Sequence, residues 1–368
     1  MAINFAGRPF LGTFGLVFLA IAVLFATDTF LAKTDRVESA VEAARLFEQG
    51  RALMARGNND EAIGRIKDAI AIERGNRAYR QTLAQAQFAA GKTADAESTL
   101  AELLQSDPGD GLASLVMARV LVKESRFAEA ISYFHRAIYG RWDRDAAESR
   151  LRVRFELIDL LEQHKFTEDL LAELLPVQDQ APRDLKTRIR MGRLFLLAGS
   201  PTRAAEVFRG IIHDNPADGA AFAGLGQAEF VRGNYRAAQR DFQVALRLAP
   251  DDQPTSERLA LCNEVIMLDP TTRGLWPAER FRRSLHLVER TLGETTQCVG
   301  QYPSPELQGL LDSAAKAVKA HVTASRQSEA AESNLDLAEQ LWQARKKGCK
   351  SPPTADSPLA LVLARLSQ

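Results

Sequence analysis

The chain has 368 residues, 46% hydrophobic and 26% charged, with Lys plus Arg and Asp plus Glu both at 47. That length accommodates two or three domains or one extended array, and the balance of apolar and charged residues excludes wholesale disorder. Charge neutrality argues against a nucleic-acid binder, and sparse aromatics without period-two alternation argue against sheets.

After a short tail at 1–9, residues 10–26 carry no charge over 17 positions, and Thr13 is the most polar of them. A helix of that run reaches roughly 25 Å, near the lower limit for crossing a bilayer core. The stretch 10–32 is therefore read as one membrane anchor with its juxtamembrane residues, Pro9 sitting well as a first helical residue. A cleaved signal peptide is the competing reading, but a cut after Ala26 or Ala32 puts Leu24 or Phe30 where a small residue is needed. Arg8 lies close to one apolar edge and Asp28 at the other, which favours a helical domain outside the cytoplasm. Lys33, Arg36 and Arg45 lean the other way by simple count, so a cytoplasmic domain stays open.

From residue 43 a pattern recurs every thirty-four residues. A small residue stands in a first helix at Gly50, Ala84, Ala118, Gly192 and Gly226, and in a second at Ala62, Ala96, Ala130, Ala204 and Ala238. Four residues later comes a bulky one: Ile66, Leu100, Phe134, Phe208 and Phe242. Two antiparallel helices approach closely only where a side chain is nearly absent, and the bulky residue fills the gap between successive hairpins. Gly91, Gly199 and Gly233 suit the left-handed end of a first helix, while Pro108, Pro216 and Pro250 close the second.

The fullest unit, DGAAFAGLGQAEFVRGNYRAAQRDFQVALRLAPDD at 218–252, resembles the tetratricopeptide repeat through Leu225, Gly226, Gly233, Tyr235, Ala238, Phe242, Ala245 and Pro250. The resemblance implies an all-α fold, an α-solenoid of stacked helical hairpins over 43–252. Regular units are expected at 43–76, 77–110, 111–144, 185–218 and 219–252. An irregular helical pair is expected at 145–184, where Asp169 and Glu173 replace the small and bulky residues.

Beyond the repeats, 253–350 reads as capping helices at about 255–268, 277–292, 305–323 and 328–347. Residues 351–368 form a Pro-rich linker and a short apolar helix, too short to span a bilayer and expected to dock back. Cys298 and Cys349 each follow a helix; outside the cytoplasm they would form a disulfide, leaving Cys262 as a buried thiol. In a reducing compartment all three would act as small apolar residues.

His135, His164, His213, His286 and His321 are scattered without metal spacing, and no nucleophile, zinc or phosphate-loop motif appears, so neither catalysis nor a cofactor is expected. Arg280, Arg282, Arg283 and Arg290 make a basic helix face, read as solvated. Just past each small first-helix position stand Arg51, Gln85, Arg119, Arg193 and Gln227, with Gln81 and Lys123 nearby. In tetratricopeptide proteins the first helix lines the concave surface. The resemblance therefore implies a polar, partly basic row suited to the carboxylates of a bound peptide segment. The same residues would serve equally as salt links between neighbouring repeats.

The chain is also similar to bacterial membrane-anchored tetratricopeptide proteins that act as assembly factors, holdases or scaffolds. That likeness implies protein partners at the inner membrane, contact with the membrane through one N-terminal helix, a periplasmic helical domain and no nucleic acid. Two other readings remain: a cytoplasm-facing adaptor that recruits an enzyme, and an accessory module whose residues 253–368 bind an envelope polymer.

Overall fold

The computed structural model describes residues 8–178, 180, 184–298, 304–349 and 357–366, without the side chains of 8–17, 26, 28 and 30–32. Among the described residues every named element is helical, and the one extended pairing is a bridge between Asp110 and Arg141. The chain forms two compact units, 1–160 and 161–368.

In the first unit, α1 (Arg8–Ala55) pairs with α2 (Asn59–Ile72), α3 (Arg77–Ala89) with α4 (Thr93–Ser106), and α5 (Gly111–Lys123) with α6 (Phe127–Tyr139). Helix α7 (Ala146–His164) begins in this unit. The second unit holds α8 (Thr167–Val177), then the pairs α9 (Leu185–Leu197) with α10 (Pro201–Asp214) and α11 (Gly219–Val231) with α12 (Tyr235–Leu248). After these come α13 (Gln253–Leu268), α14 (Pro277–Cys298), α15 (Pro305–Lys319), α16 (Gln327–Gly348) and α17 (Pro358–Leu366).

The pairs close where the sequence withholds side chains. Ala62, Ala84, Ala96, Ala118, Ala130, Ala204 and Ala238 are all fully buried. A Cβ at Gly50 would stand 2.6 Å from Ile66, and one at Gly226 2.6 Å from Phe242, closer than carbon atoms pack. Phe134, Phe208 and Phe242 fill the spaces between helices and are at most 1% exposed.

Helix ends repeat with the same spacing. Asn76, Asp110, Asp184, Asp218 and Asp252 each accept the backbone N–H three residues on, capping α3, α5, α9, α11 and α13. The turn after each first helix needs a left-handed residue, supplied by Gly57, Gly91, Gly199 and Gly233 at φ between 68° and 82°. Ser125 at 62° and Lys165 at 59° take that conformation without being glycine.

In the last part, α14 lies along α16, and the buried Asn334 amide donates to Ser284 Oγ at 3.1 Å across that contact. Leu359, Val362 and Leu363 bury α17 in a cluster with Cys262, Val265 and Leu287. Helix α14 continues six residues past the expected end at 292, and α15 stops at Lys319 rather than 323.

Among the described residues no helix is long and apolar enough to cross a membrane. Of the expected anchor at 10–32, the side chains of 10–17, 26, 28 and 30–32 lie outside what is described. In the described remainder Phe18, Leu24 and Phe25 are 78, 68 and 70% exposed.

Candidate partner-binding groove

The row of residues expected to face a ligand divides by what each side chain touches. Gln81 is buried, and its amide donates to Asp110 Oδ2 at 2.6 Å. Asp110 is itself fully buried and takes Arg77 Nε at 2.8 Å and the Ala113 N–H at 3.0 Å. A carboxylate without solvent is stable only with such a complement of donors, so this group locks α3 to the start of α5. Arg119 makes a two-pronged ion pair with Glu156 at 2.7 and 2.8 Å, joining α5 to α7. Arg51 bonds Glu48 on its own helix at 3.0 Å and lies 5.9 Å from the Phe47 ring centre. Lys123 is exposed, 5.7 Å from the Phe88 ring centre, and Gln85 is half-buried.

In the second unit, Arg193 is exposed and has no side-chain partner among the described residues. Gln227 lines an open pocket of about 470 Å³ formed by α11, α12 and the start of α13. Phe242 and Leu261 contribute its apolar walls, and Thr255, Glu257 and Arg258 its polar ones. The Arg258 guanidinium stands 5.5 Å from the Phe230 ring centre, a placement in which the ring face attracts the cation.

Several polar groups escaped the sequence reading because their importance lies in convergence from distant positions. Glu229, 7% exposed at its side chain, accepts from Arg209, from Asn234 at 2.7 Å and from Arg232 at 3.1 Å. Burial, with the Glu229 charge behind it, pushes the nearby Asp241 carboxyl up to about 6. Arg283, expected on a solvated face, is instead buried and donates to the Ile266 and Asp269 carbonyls at the end of α13. Arg282 and Arg283 hydrogen-bond Glu279 at 2.7 and 2.6 Å and hold its carboxyl down at about 2. Arg280 pairs with Glu332 at 3.7 Å, so the expected basic face is largely neutralised within the chain.

Cys298 and Cys349 are joined as a disulfide with Cα atoms 5.5 Å apart. Cys262 is a buried free thiol pushed up to about 12 by burial, so it stays protonated and unreactive. Among the described residues no group of three or more His, Cys, Asp or Glu is placed to hold a metal ion.

Short hairpins stacked through Gly and Ala crossings, with an apolar-walled pocket on the first-helix side, define a helical-repeat protein. Residues 53–120 and again 189–253 match tetratricopeptide repeat models. The chain is a tetratricopeptide-repeat protein. It shares its fold with the structure of Naa15/Naa10 bound to HypK-THB, at 13% identity and a TM-score of 0.52, covering 88% of this chain and 55% of that one. It is also similar to YrrB, described as a TPR protein with an unusual peptide-binding site, at 17% identity, 52% and 96% coverage and a TM-score of 0.41. The TPR2AB-domain:pHSP90 complex of yeast Sti1 matches at 13% identity, 79% and 98% coverage and a TM-score of 0.32. No curated protein matches the chain.

Proposed function

We propose that this protein is a membrane-tethered, non-catalytic scaffold that holds segments of other proteins against the first-helix face of its repeats. The observation that carries the reading is the pocket on α11–α13. Pro254 and Leu261 offer apolar contact, while Gln227, Glu257 and Arg258 offer hydrogen bonds that fix a bound chain's register. One repeat earlier, Arg193 presents an exposed guanidinium, uncommitted among the described residues and suited to a carboxylate. Gln81 and Arg119 act through the scaffold, because their polar atoms are taken by Asp110 and Glu156.

Two observations support the tether and its side. The uncharged run at 10–26 contains the exposed Phe18, Leu24 and Phe25, whose apolar surface suits lipid. The Cys298–Cys349 disulfide suits an oxidising compartment, so the repeats belong on the outer face of a bacterial inner membrane. The combined variant R193E/Q227A, made in the full chain and recovered from crosslinked membranes, is expected to lose roughly 90% of captured partner, the equivalent of about 1.4 kcal/mol. Recovery equal to that of the unaltered protein would contradict the groove, and extraction by alkaline carbonate would contradict the tether.

A further inference from the structure

Among the described residues, α1 is held by its own repeats at its C-terminal end, through Ala43, Leu46 and Gly50 against α2 and α3. Residues 33–42, just before, form helix with little cover: Val37 is 58% and Val41 65% exposed. This stretch thus leaves one side of α1 open to a partner.

The sequence of that side identifies the partner. Thr27, Thr34 and Val41 recur at seven-residue intervals, and Val23, Val37 and Ala44 fall on the second core position of the same register. This stripe lies nearly opposite the face carrying Ala43, Leu46 and Gly50, so both can be covered at once. Thr27 satisfies its hydroxyl on its own helix, donating to Val23 O at 2.9 Å, and so tolerates an apolar interface. Lys33 and Glu38 flank the stripe at positions that face each other across a parallel pair. Neither has an ion-pair partner within the chain among the described residues.

We infer that α1 is a dimerisation helix, pairing in parallel with α1 of a second copy along Val23, Thr27, Thr34, Val37, Val41 and Ala44, with Lys33 of each copy set against Glu38 of the other. The parallel sense rests on the tether proposed above, since two chains anchored in one membrane enter it from the same side. The complementary flanks then specify register as well as partner.

Single cysteines test this in the full chain in its membrane: V37C and V41C on the stripe, D35C and S39C off it, under mild oxidation. The expected result is a species of doubled mass from V37C and V41C alone. K33E combined with V41C is expected to lose that species, and K33E/E38K with V41C to regain it. No doubled species from any position, or equal yields on and off the stripe, would overturn the pairing. If carbonate washes the chain from the membrane, the tether fails separately. The same positional pattern in the washed protein would still support pairing, and its absence would overturn it.

Discussion

Phe208 shows how one side chain can fix the approach of three helices. Its ring from α10 lies against Gly192 of α9 and Gly224 of α11, and a Cβ at Gly192 would stand 2.5 Å from the ring. Gly192→Ala is therefore expected to destabilise the fold by roughly 1–3 kcal/mol through overpacking, read as a lower midpoint in denaturant. Phe208→Ala should cost more, about 3–5 kcal/mol, because it leaves a cavity. Gly192 and Phe208 were legible in the sequence because backbone proximity dictates their types. Asp241 was not, because a carboxylate on a helix reads as solvated until its neighbours are known. Its folded pKa of about 6 lies above the ordinary value, so the native state holds that proton more tightly. The resulting stabilisation is complete below about pH 4 and is lost as pH rises through 6. Asp241→Asn should flatten that dependence and add roughly 1–2 kcal/mol at pH 7, allowing for partial solvent access. Melting curves across pH 4–8 check this, and an unchanged slope would contradict it.

Helix ends carry the repeat as faithfully as helix faces do. The caps Asn76 and Asp110 are one period apart, as are Asp184, Asp218 and Asp252, and the left-handed turn residues keep the same interval from Gly57 to Ser125 and again from Lys165 to Gly233. Ser125 occupies one of those turns at φ 62°, a conformation that disfavours a Cβ. Ser125→Gly is expected to stabilise the protein by about 1 kcal/mol, with a matching rise in melting temperature. Turn glycines could be found in the sequence because few residues tolerate that backbone. Ser125 and Lys165 could not, since nothing about either type announces positive φ. The links between hairpins were also hidden. Arg119 belongs to a row readable as ligand-facing, and only the position of Glu156, 37 residues later, shows where its guanidinium goes. Asp110 looked like a boundary residue yet caps one helix and anchors another.

The C-terminal helices depend on tertiary closure more than on period. The Cys298–Cys349 bond spans 51 residues and fastens the end of α14 to the end of α16. Replacing both cysteines by serine should cost about 2–4 kcal/mol, and the loss should match that caused by reductant. The fold class and the helical nature of the C-terminal part were readable because apolar spacing at helical period survives without repeats. The side-by-side pairing of α14 with α16 was legible only at their ends, through the two cysteines, because helix faces that meet across distant segments leave no local signature. Function follows the same division: the repeats make a partner-binding surface expected, while the pocket itself takes its shape from α13, beyond the last full repeat. The most direct measurement places a photo-reactive residue at Gln227 on the pocket side and, separately, at exposed Gln243 on α12. Protein adducts are expected from position 227 and few from 243, while equal labelling from both positions, or labelling from 243 alone, would rule out the pocket as the partner site.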